Sequence, residues 1–210
     1  IRRALRALQE AKVDIDMEIL EDDPDETGLL GWVPLLPASV GERYEAFLAV
    51  DVGGTNLRCG IVAHRLDKKQ DGSKARLLEH MHWRHADDEP DRGDAIARLA
   101  GMLNGLNAQA RTLGIALAPF VGIACPGQIE DDGTIAQGAQ NLPGDWEAPF
   151  NLPRELRKRL DRIDGCVPEV VLHNDAVVQG LSACRRMRKL KRWGALTVGT
   201  GLGNASYTNR

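Results

Sequence analysis

An acidic residue and a glycine pair separate two apolar runs in residues 47–62, FLAVDVGGTNLRCGIV. The two glycines allow backbone conformations that bring N–H groups close to a bound anion. Thr55 adds a hydroxyl and Arg58 a positive charge, whereas Asp51 suits an anion site only if a cation lies between them. The segment therefore predicts either a magnesium–phosphate site, such as a magnesium nucleotide, or a tight hairpin with a solvated aspartate.

Two further polar segments stand at the ends of predicted strands. His173-Asn174-Asp175 follows the apolar run 167–172, and the glycine-rich loop GTGLG occupies 199–203. Alone, an Asn-Asp pair before a helix is an N-cap signal, and a glycine-rich loop is a turn. Because α/β sheets bind ligands at strand ends, the presence of all three segments in one chain favours a shared site.

The elements around these segments alternate between strands and helices. Clusters of apolar and β-branched residues between turn residues predict strands at 47–50, 57–62, 76–83, 120–124, 167–172 and 195–198. Apolar residues at helical spacing predict helices at 1–11, at 94–114 and from 175 to about 187. The connecting segments are a polar turn at 65–75, an acidic linker at 21–27 and an irregular stretch at 28–45. The alternation predicts an α/β domain that begins near Ala46.

Composition excludes several classes of protein. The 210 residues are 43% hydrophobic, which supports a folded core rather than a disordered chain. The net charge of −3 gives no overall bias toward nucleic acid, and no apolar run approaches the roughly 18 residues of a membrane span. The cysteines are widely spaced and no signal peptide is evident, so we expect a cytoplasmic protein with reduced thiols. Because the chain starts at Ile1 and stops soon after a glycine-rich loop, we expect a partial polypeptide.

Five segments, in order, resemble motifs of the ROK family, a sugar-kinase branch of the actin-like ATPases. DVGGTNLR resembles the first phosphate loop of that family, and TVGTGLG at 197–203 resembles the second. The intervening matches are GIACPGQIEDDGTI at 122–135 to a Pro-Gly segment, AQNLPGDW at 139–146 to a segment near the sugar, and LHNDA at 172–176 to the catalytic Asn-Asp pair.

The resemblance implies an α/β fold of the actin-like, ribonuclease H-like ATPase type with two lobes. It implies that the second lobe is incomplete, because family members continue well past the second phosphate loop. We therefore expect an N-terminal helix and linker at 1–45, a sugar-kinase lobe at 46–176 and the start of the second lobe at 177–210.

The implied activity is phosphoryl transfer from ATP, or from polyphosphate, to a hexose hydroxyl, with conversion of glucose to glucose 6-phosphate expected first. Asp175 would be the general base, since phosphoryl transfer depends mainly on positioning and charge stabilisation. Asp51 would hold Mg²⁺, through water. The phosphate contacts implied by the resemblance are Asp51, Gly53, Gly54, Thr55, Arg58, Gly199, Thr200, Gly201 and Gly203. The implied sugar contacts are Pro126, Gly127, Asn141, Asn174 and Asp175.

The implied partners are a hexose, a magnesium-bound phosphoryl donor and a second copy of the chain. Neither a membrane nor nucleic acid is expected as a partner. No zinc site is assigned, because the family's zinc segment lies beyond the second phosphate loop. His80 and His82, with His85 nearby, are interpreted as part of an exposed edge strand rather than as zinc ligands.

Two departures from the family pattern leave alternatives open. His173 stands where the family usually has glutamate, and we interpret it as a core or capping histidine. The basic run RRMRKLKR at 185–192 is either a solvated helix end or a groove for a polyanion such as polyphosphate. The alternative functions are a sugar-responsive transcriptional regulator and a non-catalytic sugar sensor. Residues 1–45 contain one clear helix, which is poor for DNA binding.

Overall fold

The computed structural model describes residues 15–20, 23–65 and 75–209, together with Arg6 and Glu10. The helix predicted at 1–11 and the turn predicted at 65–75 lie largely outside the described residues. The described strands are β1 (Ala46–Val52), β2 (Leu57–Ala63), β3 (Arg76–Trp83), β4 (Leu117–Cys125), β5 (Gln128–Ile129), β6 (Ile135–Gln137), β7 (Glu169–Asn174), β8 (Arg192–Val198) and β9 (Leu202–Thr208). The described α-helices are α1 (Pro24–Leu30), α2 (Ala38–Arg43), α3 (Arg92–Thr112), α4 (Leu152–Arg157) and α5 (Asp175–Leu181).

A five-stranded mixed sheet in the order β3-β2-β1-β4-β7 forms the centre of the molecule. Strands β1, β2 and β3 make an antiparallel meander, whereas β4 is parallel to both β1 and β7. The strands predicted around the first glycine pair are confirmed, and β3 is an edge strand as expected. The carboxyl ends of β1, β4 and β7 therefore meet at one edge of the sheet.

Helix α3 covers one face of this sheet. Its side chains at Leu99, Leu103 and Leu106 are fully buried in the main apolar cluster. Asp91 caps its first turn by accepting the Asp94 N–H, and Gly114 takes a positive φ of 69° just beyond its last turn. The helix predicted at 94–114 is confirmed.

The segment before β1 covers the opposite face of the sheet. Leu29 and Trp32 are fully buried there against Phe47 and Phe120. A Cβ built on Gly122 would lie 2.3 Å from the Trp32 ring, so this contact between segment and sheet requires glycine at 122.

Part of the prediction for this region is wrong. Residues 24–30 and 38–43 are helical rather than linker and irregular chain. Helix α1 starts there because Asp23 accepts the Asp25 N–H and Pro24 occupies the first turn, where a proline is tolerated. The proposed domain boundaries at residues 46 and 177 stay predictions.

The chain after β7 differs from the predicted long helix. Helix α5 ends at Leu181, and a 3₁₀ turn at Arg186–Lys189 precedes a hairpin of β8 and β9 across the GTGLG loop. Strand β9 was not predicted. The Tyr207 hydroxyl donates to the Val177 carbonyl of α5 at 2.6 Å, and its ring stacks on Trp193 at 4.0 Å. The hairpin is thereby fixed against the helix that begins with Asp175.

Candidate active site

The first glycine segment is a tight connection between β1 and β2. The Gly53 N–H donates to the Asn56 carbonyl at 2.8 Å, which closes the turn. The strand register places Asp51 directly opposite Arg58. The connection leaves Asp51 at the last position but one of β1, at the sheet edge where β4 and β7 also end.

Asp51 is almost completely enclosed, with only 4% of its surface exposed. Burial raises the pKa of its carboxyl to about 6, Arg58 opposes this rise, and the negative charge of Asp175 adds to it. The Gln179 side chain hydrogen-bonds to the same carboxyl and favours its charged form. A Cβ on Gly28 would lie 2.5 Å from Asp51 Cγ, so helix α1 packs directly on the acid. An enclosed carboxylate with a second acid close by is suited to a cation.

Arg58 is paired with carboxylates. Its guanidinium lies 2.6 Å from Asp25 Oδ1 of α1 and 3.8 Å from Asp51 Oδ2. Its side chain is only 19% exposed. Arg58, an expected phosphate contact, therefore lies between the carboxylates of Asp25 and Asp51, and its contact with phosphate stays a prediction.

The Asn-Asp pair lies at the junction of β7 and α5. Asn174 is the N-cap of α5, since its Oδ1 accepts the Val177 N–H at 3.3 Å, and its Nδ2 donates to the Gly127 carbonyl at 2.9 Å. Gly127 has a φ of 107°, a conformation that favours glycine. Asn174 thus joins the Pro-Gly turn after β4 to the start of the helix.

Asp175 is half-buried at the first position of α5. Its Oδ1 accepts the Ala176 N–H at 2.8 Å, which orients the carboxyl, and burial raises its pKa. The preceding His173 is half-buried, and its Nδ1 accepts the Asn174 N–H at 2.8 Å. Burial lowers the pKa of His173, so its ring is neutral at neutral pH. The junction therefore presents one oriented carboxylate without a neighbouring imidazolium.

The two predicted phosphate loops meet. Thr55 Oγ1 and Thr200 Oγ1 lie 3.0 Å apart and share a hydrogen bond. A Cβ on Gly54 would lie 3.0 Å from the Asn141 side chain and 3.3 Å from Thr200. The two loops, whose threonines are 145 residues apart in the chain, therefore lie next to each other. The predicted sugar segment lies beside them.

The glycines of the second loop serve different purposes. Gly199 and Gly201 are exposed at the hairpin tip, where a Cβ would meet no other atom within 4 Å. At Gly203 a Cβ would lie 2.4 Å from Thr197 Oγ1 and 2.9 Å from Ala176. Gly203 is therefore required for packing against α5, whereas the tip is sterically open to a ligand.

The basic run 185–192 is mostly exposed between α5 and β8.

Several residues of this site were missed in the sequence. Asp25 and Gly28 of α1 contact Arg58 and Asp51, and a helix start was visible in Asp23-Pro24 as a cap followed by proline. Gln179 lies four residues after Asp175, which places both on the same face of α5. Among the described residues there is no cluster of three or more histidine, cysteine or acidic side chains that could hold a metal, and no helix long and apolar enough to cross a membrane.

The sheet order β3-β2-β1-β4-β7, with polar segments at the adjacent ends of β1, β4 and β7, is that of the actin-like ATPase fold. The chain is 31% identical to a glucokinase from Thermotoga maritima over 166 residues, which are 77% of this chain and 44% of that protein. No family model matches the chain.

Two solved structures are similar to the chain. A ROK family glucokinase from Streptomyces griseus, in complex with glucose and AMPPNP, has a TM-score of 0.52 at 20% identity, over 78% of this chain and 45% of that one. An inorganic polyphosphate/ATP-glucomannokinase from Arthrobacter sp. strain KM has a TM-score of 0.54 at 25% identity, over 78% and 58%. The chain is a homologue of the Thermotoga maritima glucokinase, its structural neighbours include a ROK family glucokinase, and it spans about half the length of these relatives.

Proposed function

We propose that this chain forms the sugar-binding lobe and part of the phosphate site of a hexose kinase, with glucose as the first candidate substrate. The observation that carries this proposal is the convergence of the two glycine loops. The hydroxyls of Thr55 and Thr200 are in contact, and the enclosed Asp51 is close enough to Asp175 for the two charges to interact. Two acids beside two glycine-rich loops are suited to a magnesium-bound phosphoryl donor and a hydroxyl acceptor.

Magnesium enters this proposal as part of the donor, magnesium ATP or magnesium polyphosphate. Magnesium usually keeps several waters and is bound by one or two carboxylates together with substrate phosphates. Asp51 alone fits that pattern, because the described residues place no three-ligand cluster around it. Asp51 would then hold the hydrated ion, and Gly54, Thr55 and Thr200 would contact the phosphates.

Asp175 is suited to accept the proton of the attacking hydroxyl. Its raised pKa makes it a better base than an ordinary aspartate, and the Ala176 N–H holds one of its oxygens in place. The sugar oxygen bonds to the terminal phosphorus of the donor, the bridging P–O bond breaks, and the hydroxyl proton passes to Asp175. The Asn174 amide donates one N–H to the Gly127 carbonyl, and its second N–H would donate to a sugar hydroxyl.

The domain division, the cellular location and the oligomeric state belong to the same proposal. We propose residues 46–176 as the sugar-kinase lobe and 177–210 as the start of a second lobe. We also propose a cytoplasmic homodimer, on the strength of the family resemblance. The exposed basic run 185–192 is compatible with polyphosphate as donor, which makes that donor a necessary arm of the test.

The test is a coupled phosphorylation assay on the longest natural form of the polypeptide. It uses a hexose panel with magnesium ATP and, separately, magnesium polyphosphate. We expect Asp175→Asn to reduce kcat by about 100-fold or more, because general-base catalysis typically contributes that much. Glucose binding should still be detectable by calorimetry, because asparagine keeps the shape of the side chain and one oxygen acceptor. Glucose binding without turnover from either donor would contradict the kinase proposal and favour the regulator or sensor.

A further inference from the structure

The first phosphate loop is held from outside by the end of β3 and the turn that follows it. His85 Nε2 lies 2.8 Å from the Gly53 carbonyl oxygen, and His82 Nε2 lies 2.9 Å from Asn56 Oδ1. The Ala86 N–H donates to the Thr55 carbonyl at 3.2 Å. We call these three residues, His82, His85 and Ala86, the loop brace.

The brace fixes the direction of the loop's N–H groups. In a planar trans peptide the C=O and the following N–H point in opposite directions. The bond from His85 to the Gly53 carbonyl therefore aims the Gly54 N–H away from the brace. The bond from Ala86 to the Thr55 carbonyl does the same for the Asn56 N–H. The N–H groups of Gly54 and Asn56 therefore both point away from the loop brace. Backbone N–H groups that point in one direction can bind an anion.

His85 is built into the fold rather than placed on the surface. Only 3% of its surface is exposed, and its ring packs against Trp83 in a T-shaped arrangement with the ring centroids 5.8 Å apart. Trp83 is itself fixed, because its Nε1 donates to Asp88 at 2.7 Å and the Arg98 guanidinium lies 4.3 Å from its ring centre. Arg98 also pairs with Asp88 at 2.7 Å. Since a carbonyl only accepts, the hydrogen must be on His85 Nε2.

We propose that His85 is a positioning residue for the phosphoryl donor: it sets the Gly53–Gly54 peptide plane so that the Gly54 N–H faces a donor phosphate. This inference rests on the proposed function. It does not make His85 a catalytic residue, because the histidine contacts the loop and not the substrate. It predicts that replacing His85 lowers the affinity and kcat/KM for the phosphoryl donor and does not change the affinity for the sugar.

The test compares His85→Leu, which removes the donor group, with His85→Gln, whose amide can donate from a similar position. His82→Leu is a second, exposed member of the brace that avoids a change in the core. His80→Leu, at an exposed position of the same strand, is the matched control. Each is made in the longest natural form of the polypeptide. The measurements are kcat and KM for both donors, and the affinities for magnesium AMPPNP, tripolyphosphate and glucose by calorimetry.

We expect His85→Leu to lower kcat/KM for the donor by about 10-fold to 100-fold, because small misplacements of a reacting group cost that much. The affinity of His85→Leu for AMPPNP or tripolyphosphate should fall as well, whereas its affinity for glucose should not. His80→Leu should keep the wild-type values for both donor and glucose. His85→Gln should recover most of the lost kcat/KM. If His85→Leu does not fold, His82→Leu should still weaken donor binding selectively. Equal losses for sugar and donor, or no recovery with glutamine, would overturn the inference. Donor binding by a wild-type protein without turnover would refute the proposed kinase activity while leaving the inference testable.

Discussion

Replacing Asp51 with asparagine should stabilise the protein at neutral pH. The carboxyl has an ordinary pKa of 3.8, and its enclosure raises this to about 6 in the folded state. The folded state therefore holds its proton more tightly than the unfolded chain does. This contribution to stability is fully present below pH 3.8 and is lost as the pH rises through about 6. The loss amounts to about 3 kcal/mol above that range, at about 1.4 kcal/mol per pKa unit.

Asp51→Asn keeps the shape of the side chain and removes the ionisation. By the same relation, the stability advantage of the variant should grow by about 2 kcal/mol between pH 4.5 and 7.5. The assay is urea unfolding at several pH values, followed by the fluorescence of the buried tryptophans. Asp131→Asn, which removes an exposed carboxylate from the turn between β5 and β6, is the control for the loss of a surface charge. If the difference in unfolding free energy between Asp51→Asn and wild type did not change with pH, the argument that burial disfavours the charged form of Asp51 would be refuted.

Two further predictions concern packing and capping. Trp32→Ala should lower the free energy of unfolding by about 3–5 kcal/mol in urea, because the ring is fully buried. Trp32→Phe should cost much less, since among the described residues the indole N–H has no hydrogen-bond partner. Asn174→Ala should cost about 1–2 kcal/mol by the same method, because it removes the cap of α5 and the bond to Gly127. An unchanged unfolding midpoint would contradict either expectation.

The central sheet was predictable because its signals are local. The strands around the Asp51 segment are short apolar runs bounded by turn residues, and α3 has a regular apolar face with a glycine beyond its end. The start of α1 was also visible, but the acidic residues around Pro24 were interpreted as a linker. Strand β9 was missed because the glycine loop was taken as the end of an element rather than as a hairpin turn.

The partners of the site residues could not be predicted in the same way. Whether Arg58 faces a phosphate or Asp25 depends on how α1 packs, which is a property of the whole fold. The role of His85 likewise depends on burial, and its sequence neighbours give no sign of the bond to Gly53. The sequence motifs located the loops. Long-range packing decides which groups of these loops already bind other parts of the chain.

The contact between Trp32 and Gly122 has a consequence for how this protein can change over time. The glycine belongs to a segment that resembles a ROK-family motif, and the tryptophan belongs to the N-terminal stretch outside that resemblance. Since a Cβ at position 122 would lie 2.3 Å from the indole, a larger residue there is compatible only with a smaller one at 32. A side chain at position 122 therefore requires a smaller residue at position 32. The N-terminal stretch around Trp32 is thus packed as part of the lobe rather than as a separate module.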